Sequence, residues 1–422
     1  MSTAPAGAPV VARTVALPDH GGLLTHLPDG DPLAWVRRGE GLVAWGECLR
    51  VEVGGPGRFA DAGRAWEALT RHAVVRDEVD LPGTGPVAFA SFAFADDSAA
   101  GGVLVVPETV LGHRDGRWWL TSISADGALP APDALPCPEP VRAPGQVTYA
   151  DGARSGPQWV STVTDAVARI GAGQVDKVVM ARDLEARTSG PVDVRWLLAR
   201  LAERYPSCWT FAVDGLVGAT PEMLVRRERG LVTSRVLAGT IRRTGDDSRD
   251  LALAASLARS SKDLEEHEYA VRSVADALRP HCSGTNVPES PFVLHLPNVM
   301  HLATDVTGVL AGRAGVEPPS VLELAAALHP TAAVCGTPTR AATALISELE
   351  GMDRDRYAGP VGWIDVRGEG EFGIALRCAR LDPEDPARLR LFAGCGIVAG
   401  SDPESELAES DAKLVPMRDA LG

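Results

Sequence analysis

Segments of strand length, apolar throughout or alternating, dominate this chain and are interrupted at wide intervals by single stretches of helical period. That order restricts the fold more than any other feature. Residues 86–95 (PVAFASFAFA), 118–124, 177–182 and Trp209–Val213 read as strands, and 223–227 with 231–237 read as a hairpin through Arg229 and Gly230. Further strands are expected at 360–366, 371–380 and 388–398, the first two flanking a turn at Gly368, Glu369 and Gly370. Trp159, Val163, Val167 and Ile170 recur at i, i+4, i+8 and i+11, the apolar stripe of a helix that Gly171 and Gly173 close. Val194–Arg204 reads as a helix stopped by Pro206, and one long helix is expected over 249–278. Pro338, placed at a first helical position after Thr337, opens another to Glu350, and a last one starts near Pro403. There is no regular strand–helix–strand alternation and no internal repeat on the order of 20–50 residues. The class expected is α+β, with antiparallel sheets carrying helices on one side.

The clearest shift in composition lies at 126–150, where prolines stand at 130, 132, 136, 138, 140 and 144. So many prolines exclude a regular element, and the segment reads as a connection over the surface. The tryptophans before it, at 35, 45, 118 and 119, read as packing residues. Gly39-Glu40-Gly41 with Ala44 only faintly resembles a dinucleotide fingerprint, since it follows two arginines rather than a buried strand.

The net charge of -15 argues against nucleic acid, whose phosphates need an excess of Lys and Arg. An anionic substrate would then have to be drawn by a few placed cations, helix N-termini or a bound metal. Seven cysteines, odd in number, scattered and without a CxxC pair, suggest neither a zinc site nor a disulfide framework. The N-terminus lacks a basic start and an apolar stretch, and no run of about 18 apolar residues occurs. A soluble, cytoplasmic protein with no membrane partner is expected.

Several residues could carry chemistry. Glu406, Glu409 and Lys413, at i, i+3 and i+7, share one face of the last helix, and Glu266 lies inside the long one. A Mg²⁺ site needs one or two carboxylates plus water and a substrate oxygen. By spacing alone, these are equally the solvated faces of Glu- and Lys-rich helices. Lys177 interrupts an apolar run: it is either a buried amine of lowered basicity, able to act as a base, or an edge-strand lysine reaching for solvent. Glu222 follows the turn Gly218-Ala219-Thr220-Pro221 and precedes apolar residues, so it is either a carboxyl held protonated or an ordinary turn glutamate. Gly239, Gly336, Gly394 and Gly396 end strands where a backbone can approach a ligand. Arg377 and Arg380 alternate with apolar residues, which puts guanidinium groups on one strand face.

Taken together, KVVMAR, GATPEMLVRR, LAGTIRR, KDLEEHE, HLATDVTG, LHPTAAVCGTP, YAGPVGWID, IALRCARL and LFAGCGIV follow in one order from Lys177 to Val398. This set resembles the catalytic region of the chorismate-utilising enzymes of menaquinone, siderophore, tryptophan and folate biosynthesis. The resemblance runs from about Gln158 to the C-terminus; residues 1–150 match loosely.

The resemblance implies a single large α+β domain with two antiparallel sheets and helices outside, residues 151–422 forming the chorismate-binding catalytic region. It implies Mg²⁺ as cofactor, with Glu266 and Glu409 as ligands and Glu406 nearby, and a dianionic small-molecule substrate. Arg377 and the turn Gly394–Gly396 would hold the enolpyruvyl carboxylate; Gly239, Thr240 and Lys413 would help hold the ring carboxylate; His301 and Ala333 would face the pocket, though His301 reads equally as a core histidine. Lys177 marks members that use water rather than ammonia, and Ala238 stands where aminodeoxychorismate synthases carry a lysine. The nearest branch is therefore isochorismate synthase, with Lys177 as base and Glu222 as acid, their pKa values displaced downward and upward respectively. Ala333 is small where salicylate synthases carry threonine, so that enzyme is the alternative, and an inactive chorismate-binding scaffold a second. Thr220, Glu265, Cys395, Leu407 and Tyr357 depart from commoner choices without removing a proposed catalytic group. No glutamine amidotransferase partner is implied, and a monomer is expected.

Overall fold

The computed structural model describes residues 9–131, 135–136, 140–312 and 317–422. Among these, the strands assemble into two sheets, one of thirteen and one of ten strands. The larger sheet starts at Val147–Asp151 and passes through Lys177–Thr188, Arg388–Ile397, Cys378–Leu381, Leu216–Thr220 and Trp209–Val213. It then continues into the N-terminal strands Leu33–Arg37, Glu40–Trp45, Thr109–Arg114, Arg117–Ser124, Val11–Leu17 and Val74–Asp77. The smaller sheet is centred on Leu231–Arg242, Met223–Glu228, Gly370–Ile374 and Pro360–Asp365, and is extended by Val87–Phe92, Gly102–Val106 and Leu49–Val53. The N-terminal residues thus complete both sheets. Neighbours are antiparallel except for Val11–Leu17 against Val74–Asp77.

One apolar core lies between the sheets and joins Trp35, Phe89 and Phe92 to Trp159, Trp363, Phe372 and Ile397. A second, on the other face of the larger sheet, is closed by the helices Val194–Arg204 and Pro403–Leu421 through Leu197, Leu201, Leu414 and Met417. Trp35, Trp118 and Trp119 are buried and Trp45 packs at the margin, so the packing reading of these residues holds. The helix Gly156–Gly171 buries Trp159, Val163 and Ile170, and opens with a capping box between Ser155 and Gln158.

Four expectations need correction. The helix expected over 249–278 is two, Asp247–Leu257 and Ser261–Leu278, because the Ser260 hydroxyl accepts from the Asp263 N–H and caps a new start. Pro338 is the N-cap of Thr339–Leu349, not its first residue. The proline-rich connection ends sooner than expected, since Val147–Asp151 pairs with Lys177–Thr188; Pro132, Pro138 and Cys137 lie outside the described residues. The strand expected at 371–380 is broken, Gly370–Ile374 belonging to the smaller sheet and Cys378–Leu381 to the larger. Arg377 lies in the break with φ 49°, so it does not share a strand face with Arg380. Residues 377 and 380 are also three apart, so even a continuous strand would turn them to opposite faces.

Candidate active site

The chain passes between the sheets at two adjacent places, and the site forms there. Pro221 and Glu222 link Leu216–Thr220 to Met223–Glu228, while residues 375–377 link Gly370–Ile374 to Cys378–Leu381. The crossings are tied together: the Thr220 hydroxyl donates to the Ile374 carbonyl at 2.6 Å, and the Ile374 N–H donates to the Glu222 carbonyl at 3.1 Å. Glu222 and Arg377 are therefore carried on neighbouring corners, not on a loop at the surface.

Both face a narrow cavity of about 50 Å³. It is also lined by Gly239, Thr240, Glu266, His301, Ala333, Gly394, Gly396, Glu409 and Lys413. Eleven of the thirteen residues singled out from sequence thus converge. Lys177 stands directly behind, and Glu406 is buried beside Cys395. Larger clefts exist elsewhere, one of about 500 Å³ in which Arg50 is paired with Asp214.

Lys177 pairs with Thr337 on one side, and its neighbour Val178 pairs with Ile397 on the other, so this is not an edge strand. The side chain is completely buried, which removes the solvent-reaching alternative. Its Nζ lies 3.1 Å from Glu266 Oε1, an ion-pair distance, yet makes no well-directed hydrogen bond. Gly396 makes room for this pair, because a Cβ there would lie 2.3 Å from Glu266 Oε1 and 3.1 Å from the Lys177 Cε. Glu222 is 4% exposed, and its Oε1 accepts only a long 3.4 Å bond from the Leu237 N–H. Burial raises its pKa to about 7, against the opposing pull of that bond, Arg377, Lys177 and Lys413.

Gly239, at φ 74°, sits where the pairing of Leu231–Arg242 with Val299–Leu310 slips by one residue. The slip sets Thr240 opposite His301. The His301 Nδ1 is 3.2 Å from Thr240 Oγ1, and its Nε2 is 3.0 Å from Arg377 Nη2. Burial, and next the Arg377 charge, hold the imidazole pKa well below its ordinary value. Among the described residues no carboxylate lies within ion-pair distance of Arg377. Arg380 turns instead to Asp214 and Asp355.

The helices Ser261–Leu278 and Pro403–Leu421 bring Glu266 and Glu409 to the same cavity. Ligand atoms of Cys395, Glu406 and Glu409 lie within 4.8 Å of one another. Lys413 bonds Glu409 at 2.6 Å and donates to the Gly394 carbonyl at 2.9 Å. Burial works against the Lys413 ammonium, but Glu409 outweighs it and keeps its pKa above the ordinary range. Burial also pushes the Cys395 thiol well upward. A protonated thiol is a weak ligand for a hard cation, which leaves the carboxylates as the donors. Glu406 and Glu409, with Glu266 lining the same cavity as Glu409, offer the carboxylate oxygens that a Mg²⁺ site takes from a protein.

Arg354 also lines the cavity and was missed from sequence. Fully paired with Glu350, it donates to the carbonyls of Val334 at 2.9 Å and Val179 at 2.7 Å. In GMDRDR it looks like part of a charged surface turn, and nothing in that run signals burial.

A family described as chorismate binding enzyme matches residues 138–422. Isochorismate synthase DhbC of Bacillus subtilis is 42% identical over 62% of this chain, and the alignment spans 66% of that relative, just under two thirds of its length. The salicylate biosynthesis isochorismate synthase of Pseudomonas aeruginosa is 35% identical over 92% of this chain and 84% of that protein. The solved structure of MenF, the menaquinone-specific isochorismate synthase of Escherichia coli, superposes with a TM-score of 0.80 at 25% identity, covering 98% of this chain and 95% of that one. With the family match covering most of the chain and the same fold in the solved relative, this protein belongs to the chorismate-binding enzymes.

Proposed function

We propose that the protein is an isochorismate synthase, isomerising chorismate by adding water at C2 and expelling the C4 hydroxyl. The observation that carries this reading is the set of buried acidic and basic groups gathered at one cavity. Glu222 is a buried acid whose pKa is raised to about 7, Lys177 is a buried amine behind Glu266, and Arg377 is a buried cation with no carboxylate partner among the described residues. A buried guanidinium needs an anion, and a carboxylate matches its fork. The names of the relatives support the same activity.

In this reading Lys177 takes a proton from water as the new C2–O bond forms. The ring double bonds shift, the C4–O bond breaks, and Glu222 gives its proton to the departing hydroxyl. Water enters and water leaves, so the reaction is an isomerisation. Arg377 and the backbone at Gly394 and Gly396 hold the enolpyruvyl carboxylate, while Gly239, Thr240 and Lys413 help hold the ring carboxylate. Glu266 and Glu409, with Glu406, would hold Mg²⁺, which when bound supplies positive charge for the ring carboxylate despite the chain's net charge of -15. The acid and base face the substrate in fixed positions, which provides much of the rate gain. The product would feed siderophore or menaquinone biosynthesis.

The test is incubation with chorismate and Mg²⁺, followed by chromatography of the products. Isochorismate alone is expected. Salicylate with pyruvate would replace this reading by salicylate synthase, and no turnover would leave a binding scaffold.

A further inference from the structure

We propose that Thr240, His301 and Arg377 form a directed hydrogen-bond relay. In it a neutral His301, protonated on Nδ1, positions the Arg377 guanidinium and leaves the Thr240 O–H free to donate towards the cavity. The contacts are the 3.0 Å approach of Arg377 Nη2 to His301 Nε2 and the 3.2 Å approach of Thr240 Oγ1 to His301 Nδ1.

The direction follows from donor chemistry. Arginine in a protein has N–H donors and no acceptor, so a hydrogen bond between Arg377 and His301 requires His301 Nε2 to accept. A ring nitrogen that accepts carries no proton, and a neutral imidazole then carries its proton on the other, Nδ1. An imidazolium is excluded by the same contact, because both its nitrogens would be donors facing a cation. Thr240 Oγ1, meeting a ring N–H, must accept there. Its own hydrogen is then free for another partner, and Thr240 lines the cavity. The Gly239 backbone bonds to the ring in the sense that favours a ring proton, which agrees with this assignment.

His301 is thus a positioning residue, one step removed from the ligand. Both ends of the relay present donors to the cavity, so this wall selects acceptor groups such as carboxylate or ether oxygens. It also accounts for a buried arginine held in place with no carboxylate beside it among the described residues, since a carboxylate would compete with an anionic ligand for the guanidinium. The tautomer stands whatever reaction the site performs, whereas the effect on substrate rests on the reading above.

Nitrogen-15 spectroscopy of histidine-labelled protein tests the tautomer directly. His301 should show a protonated Nδ1 and an unprotonated Nε2 throughout the range of about pH 5 to 8. A proton on Nε2, or titration to the imidazolium in that range, would overturn the relay. With chorismate, His301→Leu and Thr240→Val should each raise KM about tenfold, as expected for losing one hydrogen bond to or near a charge, with a smaller effect on kcat. His301→Gln, whose amide oxygen can accept from Arg377, should recover most of the loss. Equal KM values for the Gln and Leu variants would refute the positioning role. If the protein does not turn over chorismate, the proposed function fails while the spectroscopic result still decides the relay.

Discussion

At the scale of single residues, the chemistry rests on how burial changes groups that look ordinary in sequence. Glu222 illustrates the sign of the effect. Its pKa in the folded chain, about 7, lies above the ordinary value of 4.5, so folding favours the protonated form. That contribution to stability is complete below pH 4.5 and is lost as pH rises through about 7. Replacement by Gln keeps the shape and removes the charge. Glu222→Gln should therefore gain stability relative to the parent as pH rises from about 4.5 to about 7, by an amount on the order of 3 kcal/mol, readable as a difference in thermal midpoint. The same variant should lose turnover by roughly 10²–10⁴-fold, the range typical of a general acid. If its relative stability does not change with pH, Glu222 is not the buried acid described. The residue was legible as a candidate because a charged side chain between a turn and an apolar run is unusual. Sequence could not choose between acid and solvated turn, since the choice depends on Leu237 and the second crossing, distant in the chain. Lys177 has the same history. The KVVMAR run marked it, but only pairing on both sides of its strand removed the edge alternative. Lys177→Ala should abolish turnover and leave the circular dichroism spectrum unchanged; turnover at the parental rate would exclude Lys177 as the base.

At the scale of elements, what matters is how helix starts and strand switches aim these side chains. Ser260 both ends the run from Asp247 and starts the helix that carries Glu266. The sequence 257–262, LARSSK, contains that capping signal, but continuous amphipathic spacing on either side hid it. The break at Arg377 had no comparable signal. An arginine before Cys378 and Ala379 is compatible with a strand, and only the neighbouring sheet determines that the strand begins one residue later. Helix Pro403–Leu421 was read correctly, and its three aligned groups reach the cavity region as the i, i+3, i+7 spacing requires. Two variants probe how the elements meet. Glu409→Gln should raise the Mg²⁺ concentration needed for half-maximal activity, and an unchanged titration would remove Glu409 from the proposed shell. Gly396→Ala introduces a methyl group 2.3 Å from Glu266 Oε1, and because strand backbone holds residue 396 the carboxylate must move. It should raise the Mg²⁺ requirement at least as much, although residue 396 has no side chain to bind a metal. A parental titration for Gly396→Ala would mean that Glu266 can shift without consequence.

At the scale of the whole molecule, the site is a junction between two sheets, and its stability depends on groups that never meet the ligand. Arg354 and Glu350 are the clearest case. Both are almost fully buried, and between them they bond the Val179 carbonyl and Ala181 N–H of the Lys177 strand as well as the Val334 carbonyl beside Ala333. One ion pair thereby fixes the helix end at Glu350, the base-bearing strand and the wall near Ala333 in a single arrangement. A buried pair of this kind adds little stability over a well-packed apolar substitute, but breaking it strands the remaining charge. The fold class and the C-terminal elements were legible because local pattern and turn chemistry determine them. The place of the first 150 residues was not, because they join the later strands through pairings such as Phe89 with Trp363 and Trp35 with Phe211, which no local pattern records. Arg354 was hidden for the same reason, because the carbonyls it bonds, unlike Glu350, are 20 and 175 residues away. Arg354→Met should therefore cost roughly 3–5 kcal/mol through the unpaired Glu350, measured by denaturant unfolding, while the double variant Arg354→Met with Glu350→Leu should recover a large part of it. If the double variant regains stability but its kcat stays depressed, the pair serves chiefly to hold Lys177 and Ala333 in register. Full recovery of both would reduce it to a packing element with no part in shaping the cavity.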